Sequence, residues 1–333
     1  MIDGQFIGVD VGGTKMAAAE LRRGVLGESS LLPTDTSSSD ALLDQICAAI
    51  EHVRGPDARA VGVGVPSVVE FETGRIRYSV NIPLADLPLR QLLSDRVGLP
   101  VFVENDASCA ALAEAYEGEN LVTEDLVMIT VGTGVGGGLV LGGRLYRGVT
   151  GAAPEMGHVI VGLDLADGAP EPAERFPQPG SLEALAAGRA LDRLAERCAR
   201  EEPDSALGRR LAAGEVTGVD AVELARGGDA AAARVVRVVG ERLGIGIANA
   251  INMFDPSEVV IGGGVSQAGD LLMVPAAEVA HRYTLPGVGT RTTIRLARRG
   301  PEAGVVGAGL LAVQEYGGSA PSMAPGAVSP GAR

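Results

Sequence analysis

Two stretches of this chain run from an apolar, β-branched segment through a glycine turn into a second apolar segment. They are "QFIGVDVGGTKMAAAEL" at 5–21 and "DLVMITVGTGVGGGLVLGGRLYRG" at 125–148. The second contains G-x-G-x-x-G at Gly132, Gly134 and Gly137, the pattern of a dinucleotide-binding turn, with Glu155 near the spacing of a ribose-binding acid. That reading needs a helix after the glycines, so that a pyrophosphate can sit on its N-terminus. Here "GGLVLGGRLYRG" follows, and glycines this dense would cost a helix about 1 kcal/mol each relative to Ala. Leu139, Leu141 and Leu145 fall at odd positions, the period of a strand. Both stretches are therefore expected to be β-hairpins, and the dehydrogenase reading fails. A glycine hairpin can still cradle phosphate, because its N–H groups converge and no Cβ keeps the oxygens away. The first hairpin adds Asp10 at a strand end, placed to hold Mg²⁺ directly or through water. For a single such hairpin an unliganded turn is the simpler reading. Two of them opening two halves, with "IGGGVS" at a further strand end, favour phosphate.

The rest of the chain agrees with an α/β enzyme. At 333 residues it has room for two domains of roughly 100–200 residues each. Hydrophobic residues make up 46% but aromatics only 3%, so the core must be built from Ala, Val, Leu and Ile. A net charge of −14 leaves no basic face for nucleic acid and disfavours an anionic membrane surface. It permits ATP, which a local glycine nest with Mg²⁺ can hold inside an acidic protein. Cys47, Cys109 and Cys198 show no C-x-x-C spacing, so a reduced, cytoplasmic protein is expected. The N-terminus lacks the features of a signal peptide, and no run of about 18 apolar residues predicts a membrane span.

The first 118 residues read β-β-α-β-α-β-α, with a helix from "SDALLDQICAAIEHV" capped at Ser39 or Asp40, and a strand-to-helix step at "PVFVENDASCAALAEAYEG". The second half repeats the opening hairpin. It continues through the loop "VTGAAPEMGHVIVG", a polar stretch at 166–180, one helix from "SLEALAAGRALDRLAERC" and a long helix over 229–253. A strand, glycine turn and helix at "SEVVIGGGVSQAGDLL" and a small-residue helix at "AGVVGAGLLAVQEY" follow. The tail 317–333 is expected to be disordered.

The segments "GVDVGGTKMAAAEL", "VENDASCAALAE", "TVGTGVGGGLVLGGRLYRG", "PEMGHV", "GSLEALAAGRAL" and "VVIGGGVS" resemble, in order, the successive motifs of the ROK family of bacterial glucokinases, related sugar kinases and some repressors. The resemblance runs from about Ile7 to Glu315. It implies an α/β, actin-like ATPase (ribonuclease H-like) fold, two α/β domains flanking a cleft. One would hold 1–118 plus about 300–316, the other 119–299. It implies Asp106 as catalytic base, although a residue there, read alone, is better taken as a helix N-cap. The implied sugar ligands are Asn81, Asn105, Asp106, Glu155, His158 and Glu183. Asp10, Gly12, Gly13 and Thr14 would face phosphate and Mg²⁺, with Lys15 either neutralising phosphate or pointing to solvent. Thr130, Gly132, Thr133 and Gly134 would form the second phosphate loop, and Gly262, Gly263 and Gly264 would lie near the adenosine.

One departure stands out. Most family members hold a structural zinc with a His and the cysteines of C-x-C-G-x-x-G-C-L-E. The matching stretch here, "ERFPQPGSLE", has Glu174, Phe176 and Ser181 in the cysteine positions, so a Cys₃His zinc is not expected. Phe176, Pro177 and Pro179 are expected to stiffen the loop instead. The resemblance implies an ATP-dependent hexose kinase, foremost a glucokinase, acting as a homodimer on small-molecule substrates. N-acetylmannosamine, fructose, allose or a cyclitol as acceptor, polyphosphate as donor, and a non-catalytic sugar-binding module are the alternatives. The repressors carry a helix-turn-helix ahead of the first phosphate motif, and here that motif begins near residue 7, without room for one.

Overall fold

The computed structural model describes residues 3–79 and 81–318. The first half opens with the hairpin β1 (Gln5–Val11) and β2 (Lys15–Arg22), then β3 (Val25–Leu26) and β4 (Ser30–Pro33). Helix α1 (Ser39–Val53) leads to β5 (Ala58–Val65), the ribbon β6 (Ser67–Glu70) and β7 (Arg75–Ser79), α2 (Leu89–Val97), β8 (Val101–Asn105) and α3 (Asp106–Ala115). The sheet order is β3-β2-β1-β5-β8, with β4 on the far side of β2. The hairpin is antiparallel, whereas β5 and β8 add in parallel.

The second half repeats this plan. After the short ribbon β9 (Tyr116–Glu117) and β10 (Asn120–Leu121) come β11 (Leu126–Val131), β12 (Val135–Leu141) and β13 (Arg144–Leu145). Helices α4 (Leu182–Ala186), α5 (Gly188–Glu201), α6 (Ala206–Ala213), α7 (Gly218–Arg226) and α8 (Ala230–Phe254) precede β14 (Glu258–Gly262). Then follow α9 (Asp270–Tyr283), β15 (Thr293–Leu296) and α10 (Ala303–Gly318). The order β13-β12-β11-β14-β15 has the same pattern of directions as the first sheet. The segment after the G-x-G-x-x-G glycines is thus strand β12, antiparallel to β11.

Helices α3 and α10 lie between the two sheets. Their Ala110, Ala111, Leu112, Val306, Leu310 and Leu311 share one apolar cluster with Phe6 and Ala60 of the first sheet and Met128, Val140 and Val260 of the second. Small residues permit this. A Cβ on Gly62 would strike the Ala308 carbonyl of α10, so α10 presses directly on β5. Separate clusters fill the outer faces, under α1 and α2 on one side and under α4 to α9 on the other.

Several local expectations are corrected. Ser38, not Ser39 or Asp40, caps α1 by accepting from Ala41 N–H at 3.1 Å, while Ser39 Oγ donates to the Pro83 carbonyl. The helix expected over "SLEALAAGRALDRLAERC" is two, broken at an extended Ala187. A 3₁₀ turn at Gly264–Ala268 separates β14 from α9. Helix α10 runs through Gly318, into the segment expected to be a tail, and 319–333 lie outside the described residues. Among the described residues the three cysteines are free, and no helix is long and apolar enough to cross a membrane.

Candidate functional site

In both sheets the central parallel strands end on the same side as their hairpin turns, where ligands of open α/β sheets gather. In the first sheet Asp10 sits beside Gly64 of β5, and Gly64 lies against Asp106 at the head of α3: a Cβ there would be 3.6 Å from Asp106 Cα and 3.7 Å from Asp10 Oδ1. Asp10 and Asp106 thus share a corner. Burial first, then the Asp106 charge, raises the Asp10 carboxyl from 3.8 to about 7, and Lys15, exposed at the start of β2, opposes the rise. Burial also raises Asp106, against the Ala107 N–H that donates to its Oδ1 at 2.8 Å. Asp106 does not cap α3. Asn105 does, accepting from Ala107 and Ser108 N–H at 3.0 and 3.2 Å, which leaves the Asp106 carboxylate turned to the corner. Asn105 is held in turn by its Nδ2, 3.4 Å from the Ser67 carbonyl.

The first glycine turn is closed by Gly12 N–H donating to the Lys15 carbonyl at 2.9 Å. Thr34 fixes it from outside, its Oγ1 donating to Gly12 O and its N–H to the Thr14 carbonyl. Gly13 lies against Asn81, which is exposed: a Cβ on Gly13 would be 3.2 Å from Asn81 Cβ. One predicted sugar ligand is thereby brought next to a predicted phosphate turn.

The second turn is built differently. Gly132 N–H donates to Gly134 O at 2.8 Å, and Gly132 O accepts from Gly188 N–H, the first residue of α5, at 2.8 Å. This contact explains the break at Ala187, since it turns the start of α5 onto the loop. Thr133 is exposed at the tip, and Thr130 pairs with Gly136 and Gly262. At the end of β14, Gly263 has φ +85° and its Cα abuts the Val131 backbone, a place only glycine fills. Gly264 beyond it meets open space. Glu183 anchors α4 to this turn, its Oε2 accepting from Val135 N–H at 2.8 Å.

The remaining glycines of the run work on the two faces of β12. A Cβ on Gly136 would be 3.2 Å from Ala107 Cβ, and one on Gly138 would collide with Ala107 O and the Ala111 side chain, so α3 rests on one face. On the other face a Cβ on Gly137 would collide with Met156, in the 3₁₀ turn Met156–His158. The first turn of α3, which Asp106 begins, and the Glu155–His158 segment thus pack on opposite faces of β12. His158 Nε2 lies 3.8 Å from Glu155 Oε2. Burial chiefly raises the Glu155 carboxyl, with His158 opposing and the charge of nearby Glu183 adding. Glu155, His158 and Glu183 therefore lie near one another.

A model of the "ROK family" matches residues 6–315. The chain belongs to the ROK family. Its two-sheet architecture is the actin-like ATPase fold of its ROK neighbours. A ROK hexokinase from Thermus thermophilus matches with TM-score 0.78 at 36% identity, over 94% of this chain and 99% of the other. A ROK glucokinase from Streptomyces griseus, in complex with glucose and AMPPNP, matches with TM-score 0.75 at 36% identity, over 93% and 100%. A glucokinase of Halalkalibacterium halodurans is 37% identical over 95% of this chain and 97% of its own length.

In this ROK protein the stretch that lacks the zinc cysteines is filled by other contacts. Phe176 stands edge-on to the His158 ring, centroids 5.2 Å apart, although the phenyl group is largely exposed. Ser181 is buried and caps α4 by accepting from Ala184 N–H. Glu174 is exposed. Sequence reasoning missed Gly64, Gly188 and the work of Gly136 to Gly138. It also missed the buried carboxylate of Glu104, one residue before Asn105 and bonded to Arg147. The alternating glycines of "VGVGVP" were the available signal for Gly64. For Gly188 and Glu104 the partners are distant in sequence.

Proposed function

We propose that this ROK protein is an ATP-dependent glucokinase that uses Asp106 as its base and transfers the γ-phosphoryl group to the sugar 6-hydroxyl. The observation that carries the reading is the packing of α3 and the Glu155–His158 turn on opposite faces of β12. It supports a reading in which the half-buried Asp106 acts near a cluster of groups suited to orient sugar hydroxyls. Similarity to the S. griseus glucokinase, a glucose and AMPPNP complex, supports both ligand classes.

In this mechanism Asn81, Asn105, Glu155, His158 and Glu183 bind and orient the sugar. Asp106 accepts the proton of the attacking hydroxyl as its oxygen bonds to the γ-phosphorus and the bond to the β,γ-bridging oxygen breaks, releasing ADP. Phosphoryl transfer is largely dissociative, so the base acts late and its position matters more than its strength. The turns at Gly12–Thr14 and Gly132–Gly134 present N–H groups to the phosphates, Thr130 and the Thr133 hydroxyl lie alongside, and Gly262–Gly264 leave room for the nucleoside. Asp10, half-buried close to Asp106, would hold Mg²⁺ directly or through water and leave Asp106 free as the base. Mg²⁺ is bound through as few as one carboxylate and completes its shell with water and phosphate, so Asp10 fits it, and the ion would neutralise charge on the phosphates.

The same proposal takes 1–118 with about 300–316 as one lobe and 119–299 as the other, supported by α10 lying on β5. A homodimer is the proposed assembly, read by light scattering. The deciding experiment is a coupled ADP-release assay over glucose, N-acetylglucosamine, N-acetylmannosamine, fructose and allose with ATP. Glucose is expected to give the highest kcat/KM. No ADP release with any hexose would leave a sugar-binding module in its place.

A further inference from the structure

Arg147 follows β13 in the second half of the chain, yet its side chain crosses to the first. Its Nε donates to Glu104 Oε2, its Nη2 lies 3.3 Å from Glu315 Oε1, and its guanidinium stands 3.5 Å from the Phe71 ring centroid. Glu104 is only 1% exposed, and its second oxygen accepts the Asn105 N–H at 2.9 Å. The guanidinium is thus one carboxylate away from the peptide that starts the Asn105–Asp106 corner.

The backbone of Arg147 faces the other way. Its carbonyl accepts from Ala153 N–H at 3.0 Å and closes a turn, within which Gly151 presses on the Val69 carbonyl of β6. From Ala153 the chain passes Pro154 directly into Glu155 and His158. Arg147 therefore touches both the corner that holds the base and the turn that holds sugar ligands.

Stability alone is a poor reason for this pair. Desolvating two charges is costly, and an apolar pair of similar volume is often as stable. What the ion pair adds is a fixed, directional distance between two segments of different halves. Resting on the glucokinase reading, we propose that Arg147 is a positioning residue. It sets the spacing between Asp106 and the Glu155–His158 turn and so couples sugar binding to transfer.

A second buried pair supplies the control. Arg295 joins Glu114, at the far end of α3, to Glu258 of β14, remote from the site. The test compares Arg147→Met, Arg147→Lys, Glu104→Gln, the double variant Glu104→Gln/Arg147→Met, and Arg295→Met. Read for each are kcat, the KM for glucose, the KM for ATP and the melting temperature. Arg147→Met is expected to raise the glucose KM and lower kcat by about 10-fold or more each, with the ATP KM within about 3-fold. The double variant should be no worse than Arg147→Met alone, since both remove one link. Arg295→Met should lower the melting temperature and leave both KM values near wild type. An unchanged glucose KM in folded Arg147→Met, the same shift in Arg295→Met, or additive losses in the double variant would overturn the proposal. Should Arg147→Met fail to fold, Arg147→Lys decides: it keeps the charge but not the forked donor, and a wild-type glucose KM would overturn the idea. Wild-type protein inactive on every hexose would refute the kinase reading instead, a separate result.

Discussion

Asp10 and Thr130 occupy the same place in two sheets of the same plan. Each is the penultimate residue of the central strand. Asp10 pairs with Ala17 of its hairpin partner and Gly64 of its parallel neighbour; Thr130 pairs with Gly136 and Gly262. The backbone is duplicated but the chemistry is not. The first sheet places ionisable side chains at its strand ends: Asp10, Asp106 and, close by, Lys15. The second places backbone N–H groups, a hydroxyl and the start of α5. The parallel neighbour also differs, because β5 continues through Val65 into Pro66 whereas β14 turns at Gly263 with φ +85°. A doubled fold thus carries two neighbouring carboxylates at one set of strand ends and backbone groups with a hydroxyl at the other.

The largest effect should fall on the charged side. Asp106→Asn keeps the shape of the α3 head but removes the proton acceptor. It should lower kcat by about 10²–10⁴-fold while glucose binding by calorimetry stays within about 3-fold. A kcat near wild type would remove Asp106 from its role.

Next comes the part of the pH dependence that Asp10 contributes. Its carboxyl is raised from 3.8 to about 7, so the native state keeps a proton that the unfolded chain releases. Stability should therefore fall as pH rises from about 4 to about 7, by up to ~4 kcal/mol for a shift of that size. Asp10→Asn should match wild type near pH 4 and exceed it above pH 7, whereas Thr130→Val at the equivalent place should keep the wild-type slope. Urea unfolding across this range without added Mg²⁺ reads the difference, and equal slopes in all three proteins would break the contrast.

A smaller effect tests the neutral side. Gly263→Ala forces a Cβ onto the Val131 backbone at positive φ and should cost about 1–3 kcal/mol in denaturant unfolding. Gly13→Ala meets only Asn81, its Cβ at 3.2 Å and its carbonyl oxygen at 3.4 Å, and should fold nearly as well as wild type. Equal losses would mean that the two turns are not so differently built. The smallest effect concerns the loop without zinc cysteines. Phe176→Ala removes an edge-on ring contact worth about 0.5–1.5 kcal/mol and should raise the glucose KM by up to about 10-fold, with kcat and the ATP KM unchanged. A glucose KM equal to wild type would show that His158 is oriented by Glu155 alone.

Much of the fold was legible because its signals are local. The period-two apolar pattern around Gly132 marked a hairpin and excluded the dinucleotide turn, and Asn105–Asp106 at a strand-to-helix step marked the corner. Helix capping was legible only to within a residue: three consecutive serines precede Asp40, and the choice of Ser38 follows from the pull of Pro83 on Ser39. The break at Ala187 was not legible, since "LEALAAGRALDRL" has an unbroken helical pattern. It is decided by the hydrogen bond from Gly188 to Gly132, far away in sequence.

The glycine run itself divides along the same line. Its letters and the strand that follows them settled that it is a hairpin turn, because backbone preference and side-chain alternation act between neighbours. Which glycines serve the turn and which serve packing was decided only in three dimensions. Gly132 and Gly134 shape the loop, whereas Gly136, Gly137 and Gly138 thin β12 so that α3 and the Glu155–His158 turn can close on its two faces. That spacing, and the Glu104–Arg147 pair that ties its two sides, depend on contacts between segments about 19 to 43 residues apart. Chain neighbours carry no trace of such contacts, since they exist only once both sheets have folded.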